Sequence, residues 1–265
     1  MSAIHFANVS KTFGRKLVLK DFNMKVQYAK TTVILGGSGS GKSTILKLAL
    51  GLLKPDSGKI SVFGKDITNL GEEDLGAIRK KIGMVFQTGA LFDSLSVGEN
   101  VAYQMRESHT YDDGEIKQTV LALLKLVGLE RTFDKFPSEL SGGMQRRVSI
   151  ARALVGNPPI ILYDSPTGGL DPITGRNICE LVMKLRDLEG VASIFVTHDL
   201  KSAMTLANEF AEKKSDGRII FKKRGATSQP ANTRFFVMRN GGVCFEGTYE
   251  QLRESRNEYI IGFLT

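Results

Sequence analysis

"TTVILGGSGSGKSTILKLALGLLKP", residues 31–55, decides how the chain is read. Val33, Ile34 and Leu35 make a short apolar run of strand length, and Gly36-Gly37-Ser38-Gly39-Ser40-Gly41-Lys42-Ser43 follows at once. Behind it Ile45, Leu46, Leu48, Leu50 and Leu52 recur at helix-compatible spacing, and Gly51 with Pro55 closes the segment. Strand, glycine-rich loop and helix in that order make a phosphate cradle. Glycines let consecutive backbone N–H groups turn inwards around phosphate oxygens, and the helix N-terminus adds its positive end. In this pattern Lys42 reaches the β- and γ-phosphates, while the Ser43 hydroxyl, next to Thr44, ligates Mg²⁺. A flexible glycine-serine turn is the plain alternative, and the strand before and helix after argue against it.

Three further apolar runs have strand length: KIGMVFQ (81–87), IILYD (160–164) and ASIFVTHD (192–199). Each ends in polar residues, as buried parallel strands do when their C-terminal edge carries a site. Between 88 and 157 the texture is helical. In EIKQTVLALLKLVGL the apolar residues Ile116, Val120, Leu123, Leu124 and Val127 share one helix face, stopped by Gly128. The first thirty residues alternate in places, as in KLVLKDFNMKV, and predict antiparallel strands covering one side. The expected organisation is one domain over 1–265, with a helical subdomain over 88–157 and no internal repeat.

Composition is that of a globular protein, with 42% hydrophobic and 24% charged residues. The start, MSAIHFANVS, lacks the basic and apolar regions of a secretory signal, and no apolar run approaches the roughly 20 residues that cross a bilayer. Any membrane role is expected through a partner or a surface contact. Cys179 and Cys244 stand far apart, outside metal-ligand spacing, and read as reduced thiols. The net charge of +8 admits nucleic acid, nucleotide or anionic lipid as partner and does not choose among them.

Asp164, at the end of its strand, is the natural Mg²⁺ carboxylate beside a phosphate loop. LSGGMQRR, 140–147, is a second Ser-Gly-Gly turn opening a helix, again an anion-binding arrangement. One subunit holds one triphosphate at its phosphate loop, so a second phosphate reader suggests a nucleotide shared between subunits.

The phosphate loop, Gln87, LSGGMQ, ILYDSPTGGLD and VTHD occur in the order and spacing of an ABC-transporter nucleotide-binding subunit, which the chain resembles from about Ile4 to its C-terminus. The resemblance implies an α/β fold: a P-loop NTPase core of the ABC ATPase type with an antiparallel β subdomain and a helical subdomain. It implies a head-to-tail homodimer with two ATP molecules sandwiched between subunits. Each would be held by one subunit's phosphate loop and the other's Ser141, Gly142 and Gly143, with Gln145 in the same motif. By the same resemblance Phe13 stacks on adenine, Gln87 senses Mg²⁺ and links to a transmembrane permease, Asp171 faces the opposite site, and His198 touches the γ-phosphate. For Phe13 a core aromatic is the alternative.

FQTGALFDSLSVGENVAYQMRE (86–107), with PSELSGGMQRR and DPITG, is similar more narrowly to the ATPases of Mla-type systems, which move phospholipid with MCE-domain proteins. That similarity places the chain at the cytoplasmic face of an inner membrane, with the segment after Gln87 in the groove receiving the permease's coupling helix. The plain reading of the same segment is a helix-start loop with a buried Leu91-Phe92 pair. Small-solute importers are a sister reading. A DNA- or ribosome-acting relative is disfavoured, since paired zinc cysteines and a second cassette are both missing from the sequence.

Two features depart from the family pattern. Ser165 stands where glutamate usually follows Asp164. Serine near neutral pH is no general base, a loss of ~10²–10⁴ in rate. Slow or partner-dependent hydrolysis, with His198 positioning the water, and a non-hydrolysing regulatory subunit both remain open. The second departure is EKKSDGRIIFKKRGATSQPANTR (212–234), a basic insertion carrying Lys213, Lys214, Arg218, Lys222, Lys223, Arg224 and Arg234. Asp216-Gly217 predicts a hairpin there, either a solvated face or a contact for anionic headgroups or a partner.

Overall fold

Alternation builds the first layer. In the computed structural model, which describes residues 2–224 and 232–264, the strands β1 (Ser2–Phe13) and β2 (Lys16–Gln27) pair antiparallel. Leu19, Phe22, Met24 and Val26 of β2 point inwards and the residues between them outwards. Then come β3 (Thr31–Gly36), buried at every position, and α1 (Lys42–Ala49). The helix stops three residues before Leu52. Gly51 adopts φ 63°, its N–H reaches Leu48 O and that of Leu52 reaches Lys47 O, a left-handed cap that leaves Leu52 exposed.

β4 (Ser57–Val62) and β5 (Lys65–Asp66) complete the antiparallel sheet, in the order β2-β1-β4-β5. α2 (Glu72–Arg79) leads to β6 (Ile82–Val85), shorter than the 81–87 expected. Phe86 and Gln87 leave the sheet, and the Phe86 carbonyl accepts instead from Arg146. Three helices lie within 88–157: α3 (Val97–Ser108), α4 (Asp113–Leu126) and α5 (Gly142–Ala153). Ser96 with Glu99 and Asp112 with Glu115 form reciprocal capping boxes at the starts of α3 and α4. Buried Asn100 binds both the N–H and the carbonyl of Phe92 and the carbonyls of Leu95 and Ser96, so the loop before α3 is fixed. The Leu91-Phe92 pair is not buried as expected. Leu91 packs on the core, whereas Phe92 is exposed and stacks on Tyr103 at 4.8 Å.

β7 (Ile160–Asp164), α6 (Pro172–Leu188), β8 (Ala192–Val196) and α7 (Leu200–Asn208) follow. β8 ends at Val196, short of the expected 199, because Asp199 leaves the sheet to cap α7 through Lys201 N. The basic insertion forms a hairpin of β9 (Glu209–Lys213) and β10 (Ile219–Lys223), turning at Asp216-Gly217 as expected; residues 225–231 of it lie outside the described residues. Within it Lys222 pairs with Glu212, Arg218 with Asp216 and Arg234 with Glu246. β11 (Thr233–Arg239), β12 (Gly242–Gly247), α8 (Tyr249–Arg253) and α9 (Glu258–Leu264) end the described chain.

The main sheet runs β12-β11-β3-β8-β7-β6, parallel except for the edge strand β12. Its central strands divide their side chains between two cores. Val33, Leu35, Tyr163 and Phe195 face α6, α7 and the helical segment, and Ile34, Leu162, Ile194 and Val196 face α1 and the antiparallel sheet. Burial on both faces is why these strands read as unbroken apolar runs. Among the described residues no helix is long and apolar enough to cross a membrane, and both cysteines are free thiols.

Candidate functional site

The glycine-rich loop lies at the C-terminal edge of β3. Gly36, Gly39 and Gly41 adopt φ of 154°, 74° and 100°, conformations that favour glycine. A Cβ on Gly41 would stand 2.9 Å from Val18 O, and one on Gly36 2.7 Å from Met238 O. Gly37, Ser38 and Gly39 are exposed, Ser40 is half-buried, and Gly41 begins α1 with no side-chain cap and no acidic residue in its first turn. The free N–H groups of that helix end are therefore open to an anion. Lys42 folds back along the loop, donating to Gly36 O at 2.8 Å and Gly37 O at 2.7 Å, with Ser40 Oγ at 3.3 Å. Burial pushes the Lys42 ammonium below its ordinary pKa, and the charge of Asp164 opposes that shift.

Asp164 sits two strands away, since β8 separates β3 from β7 and pairs Val196 with both Ile34 and Asp164. At about 4.8 Å per strand, the carboxylate reaches the edge roughly 10 Å from the loop, a span suited to a phosphate and its cation. Ser43 and Thr44 lie in the first turn of α1, Ser43 exposed and Thr44 half-buried. The metal donors expected here, Ser43, Asp164 and Gln87, all offer oxygen. That set fits a hard cation such as Mg²⁺, which keeps water and substrate phosphate among its ligands. Among the described residues no cluster of three His, Cys, Asp or Glu forms a metal cage.

After Asp164 the chain turns sharply. Ser165 is left-handed at φ 49° and buried, its N–H bonded to Val196 O. Its carbonyl accepts from Gly168 N, which closes a tight loop up to Asp171. Gln87 Nε2 is 3.9 Å from where a Cβ would sit on Gly168, so the loop after β6 meets this one. Asp171 and exposed His198 line one cavity of about 410 Å³, together with Thr167, Cys179, Asp199 and Ser202. Asp171 also caps α6, Oδ1 accepting from Ile173 N and Thr174 N. The contacts with Thr174 hold its carboxyl below the usual range.

The second Ser-Gly-Gly turn opens α5. Ser141 caps it through Met144 N at 3.3 Å, with Ser141 and Gly142 exposed. Gln145, counted with this motif as a nucleotide residue, has its Nε2 directed at Pro137 O (2.8 Å) and Leu140 O (3.4 Å), so it braces the preceding turn. Gly143 is buried for a packing reason: a Cβ there would stand 2.3 Å from Thr174 Cγ2 at the start of α6. Gly143→Ala is expected to cost about 1–3 kcal/mol by overpacking. Adding Thr174→Ser, which removes the blocking methyl, recovers most of that in urea unfolding. Equal loss in single and double variants contradicts the contact.

Phe13 is 45% exposed with Lys11 Nζ 5.6 Å from its ring centroid, so it is not a core aromatic. Several neighbours of the site carry no motif signal. Lys16, paired with Phe13 across the β1–β2 turn, brings its Nζ to 3.9 Å from the Cβ position of Gly39. Tyr259 of α9 accepts from Gly37 N at 3.3 Å. Arg146 donates to Phe86 O and Arg152 to Gly89 O, so α5 holds the backbone on both sides of Gln87, and burial depresses both guanidinium pKa values. Their partners are backbone atoms some 60 residues away, which local pattern does not reveal.

A family model described as ABC transporter matches residues 19–168. The intermembrane phospholipid transport system ATP-binding protein MlaF of Haemophilus influenzae is 36% identical over 98% of this chain and 89% of its own length. The sulfate/thiosulfate import ATP-binding protein CysA of Synechocystis is 37% identical over 97% of this chain, which spans 64% of that protein. Among solved structures, the dimeric ATP-binding cassette MJ0796 in a post-hydrolysis state bound to ADP and Pi superposes with a TM-score of 0.77, at 33% identity, over 92% of this chain and 98% of that one.

Proposed function

The chain belongs to the ABC transporter family of ATPases, and from that membership we propose that it powers phospholipid transport between the membranes of a bacterial envelope. The observation that carries this reading is its end-to-end likeness to an ATP-binding protein of intermembrane phospholipid transport. The likeness of near-equal identity to a sulfate/thiosulfate importer's subunit supports the second reading, import of small polar solutes.

In the proposed cycle two copies meet head to tail, peripherally at the cytoplasmic face of the inner membrane. Adenine stacks on Phe13, the loop 36–43 and Lys42 take the phosphates, and Ser141, Gly142 and Gly143 of the other copy close over them. Mg²⁺ held by Ser43, Asp164 and Gln87 would neutralise phosphate charge. His198 holds the attacking water in line, and the phosphate itself is the final proton acceptor, because phosphoryl transfer depends chiefly on positioning and charge stabilisation. Hydrolysis and phosphate release reopen the dimer.

A permease helix would dock in the groove of about 340 Å³ lined by Lys80, Met84, Phe86, Phe92, Tyr103 and Arg152. This groove lies beside Gln87, so docking and the nucleotide sense each other through the Phe86–Gly89 backbone. An MCE-domain protein is the expected lipid-carrying partner, and nucleic acid is not expected.

Sedimentation with Mg-ATP should give a dimer that Ser141→Arg prevents, since a bulky cation does not fit a phosphate-facing turn. Dimers of both proteins without nucleotide would contradict the shared site. Purification with the membrane partner, followed by lipid mass spectrometry and ATPase assay, should find bound phospholipid and lipid-stimulated hydrolysis. Stimulation by a small anion instead establishes the importer. Nucleotide binding without turnover in the complex establishes the regulatory subunit that Ser165 keeps in view.

A further inference from the structure

The loop after Asp164 and the turn after β8 are joined by side chains outside the motif residues. Thr167 and Ser202 are 5% and 6% exposed, and with Asp199 they form a closed cluster. Ser202 Oγ lies 3.1 Å from Thr167 Oγ1 and hydrogen-bonds to Asp199 Oδ2, while Thr167 Oγ1 is 3.5 Å from that same carboxylate oxygen. The Ser202 hydroxyl thus serves the carboxylate directly, and Thr167 joins it mainly through Ser202. The other carboxylate oxygen, Oδ1, accepts from Lys201 N at 2.9 Å, and Asp199 N donates to Thr197 Oγ1 at 2.9 Å. Thr167 also packs on Gly175 of α6, 3.8 Å from where a Cβ would be. The loop 165–171 is therefore anchored to α6 on one side and to the start of α7 on the other. Asp199 follows His198 directly, and Thr167 lies two residues beyond Ser165. All three network residues wall the same cavity as His198 and Asp171.

We infer that Thr167, Ser202 and Asp199 form a positioning network that locks the Ser165–Asp171 loop to the His198 turn, so that the two move as one unit during hydrolysis. The inference rests on the proposed roles of Ser165, His198 and Asp171. It matters more in a chain without the glutamate, where water placement falls to His198. A network with two buried hydroxyls gathered on one partly buried carboxylate favours one arrangement of the backbone that carries it. None of its members needs to touch ATP.

The test uses the purified full-length chain and Mg-ATP, comparing wild type with Thr167→Val, Thr167→Ser, Ser202→Ala and the Thr167→Val/Ser202→Ala double variant. Thr167→Val keeps the shape and removes the hydroxyl. It and Ser202→Ala are each expected to lower kcat about tenfold, with affinity for a fluorescent ATP analogue unchanged. The double variant should be no worse than the poorer single one, and Thr167→Ser should retain activity. In parallel, amide hydrogen exchange should quicken in Thr167→Val over both 165–171 and 197–202. The inference is overturned by an unchanged kcat, by a loss carried in ATP affinity, by failure of Thr167→Ser, or by exchange that quickens only over 165–171. If the wild type hydrolyses nothing, the catalytic reading fails on its own, and the exchange pattern still decides whether the two segments are joined.

Discussion

ATP affinity is expected to fall about 100-fold or more, and transport to stop, when Lys42 is replaced by Ala. The half-buried ammonium is held by two loop carbonyls, so it waits within the phosphate site. On binding it exchanges them for phosphate oxygens, and hydrogen bonds to such charged acceptors contribute roughly 1.5–3 kcal/mol each. The alanine variant keeps the loop backbone, whose shape depends on the glycines, and loses the mobile charge.

The same group predicts a pH dependence. Burial lowers the pKa of Lys42 in the free protein, with Asp164 opposing, and incoming phosphate raises it. Binding therefore takes up a proton between the lowered free value and the raised bound value. Affinity is full below that window and declines as pH rises through it, and Lys42→Ala abolishes the decline. Titration of a fluorescent ATP analogue across alkaline pH measures both effects. An unchanged affinity in the variant would sink the assignment of this loop to phosphate.

The second large effect concerns the proton of the attacking water. If Ser165 occupies the base position, Ser165→Glu should raise basal hydrolysis ~10-fold or more by adding the carboxylate that the family usually has there. The left-handed φ of 49° is already adopted by a residue with a Cβ, so glutamate brings no new class of backbone strain. Burial at this position would raise the carboxyl pKa, so the added rate should appear as pH rises through that value.

His198→Ala should lower the native rate by ~10²-fold or more, because His198 then has no carboxylate to share the placement of water. Each variant is measured alone and with the membrane partner. Hydrolysis that is fast with Ser165, indifferent to Ser165→Glu and insensitive to His198→Ala would place the chemistry elsewhere. Asp171 would be a poor substitute base, since its cap bonds to α6 hold the carboxyl in its weakly basic, ionised form.

Local pattern carried far in this chain because its main sheet is parallel and buried. Unbroken apolar runs mark β3, β7 and β8, and their polar ends mark the edge where Gly36, Asp164 and His198 lie. Strand ends were less legible. Phe86 and Gln87 look continuous with β6, yet the Arg146 guanidinium captures the Phe86 carbonyl and the sheet pairing stops. Phe92 looks like a core residue from its type, but Asn100 fixes its backbone so that the ring stays outside beside Tyr103.

By itself the sequence determined the phosphate loop, the strand-end carboxylate, the second Ser-Gly-Gly turn and their order. Each of these is a contiguous stretch whose backbone geometry follows from glycine, helix start and strand end. Tertiary structure alone decided what surrounds them: Thr174 against Gly143, Tyr259 on Gly37, the α5 arginines on the Gln87 loop, and the bonds from Thr167 to Ser202 and Asp199. Those contacts join segments from about 30 to more than 200 residues apart. Their partners are set by how the helices pack on the sheet, which residue type and spacing do not encode.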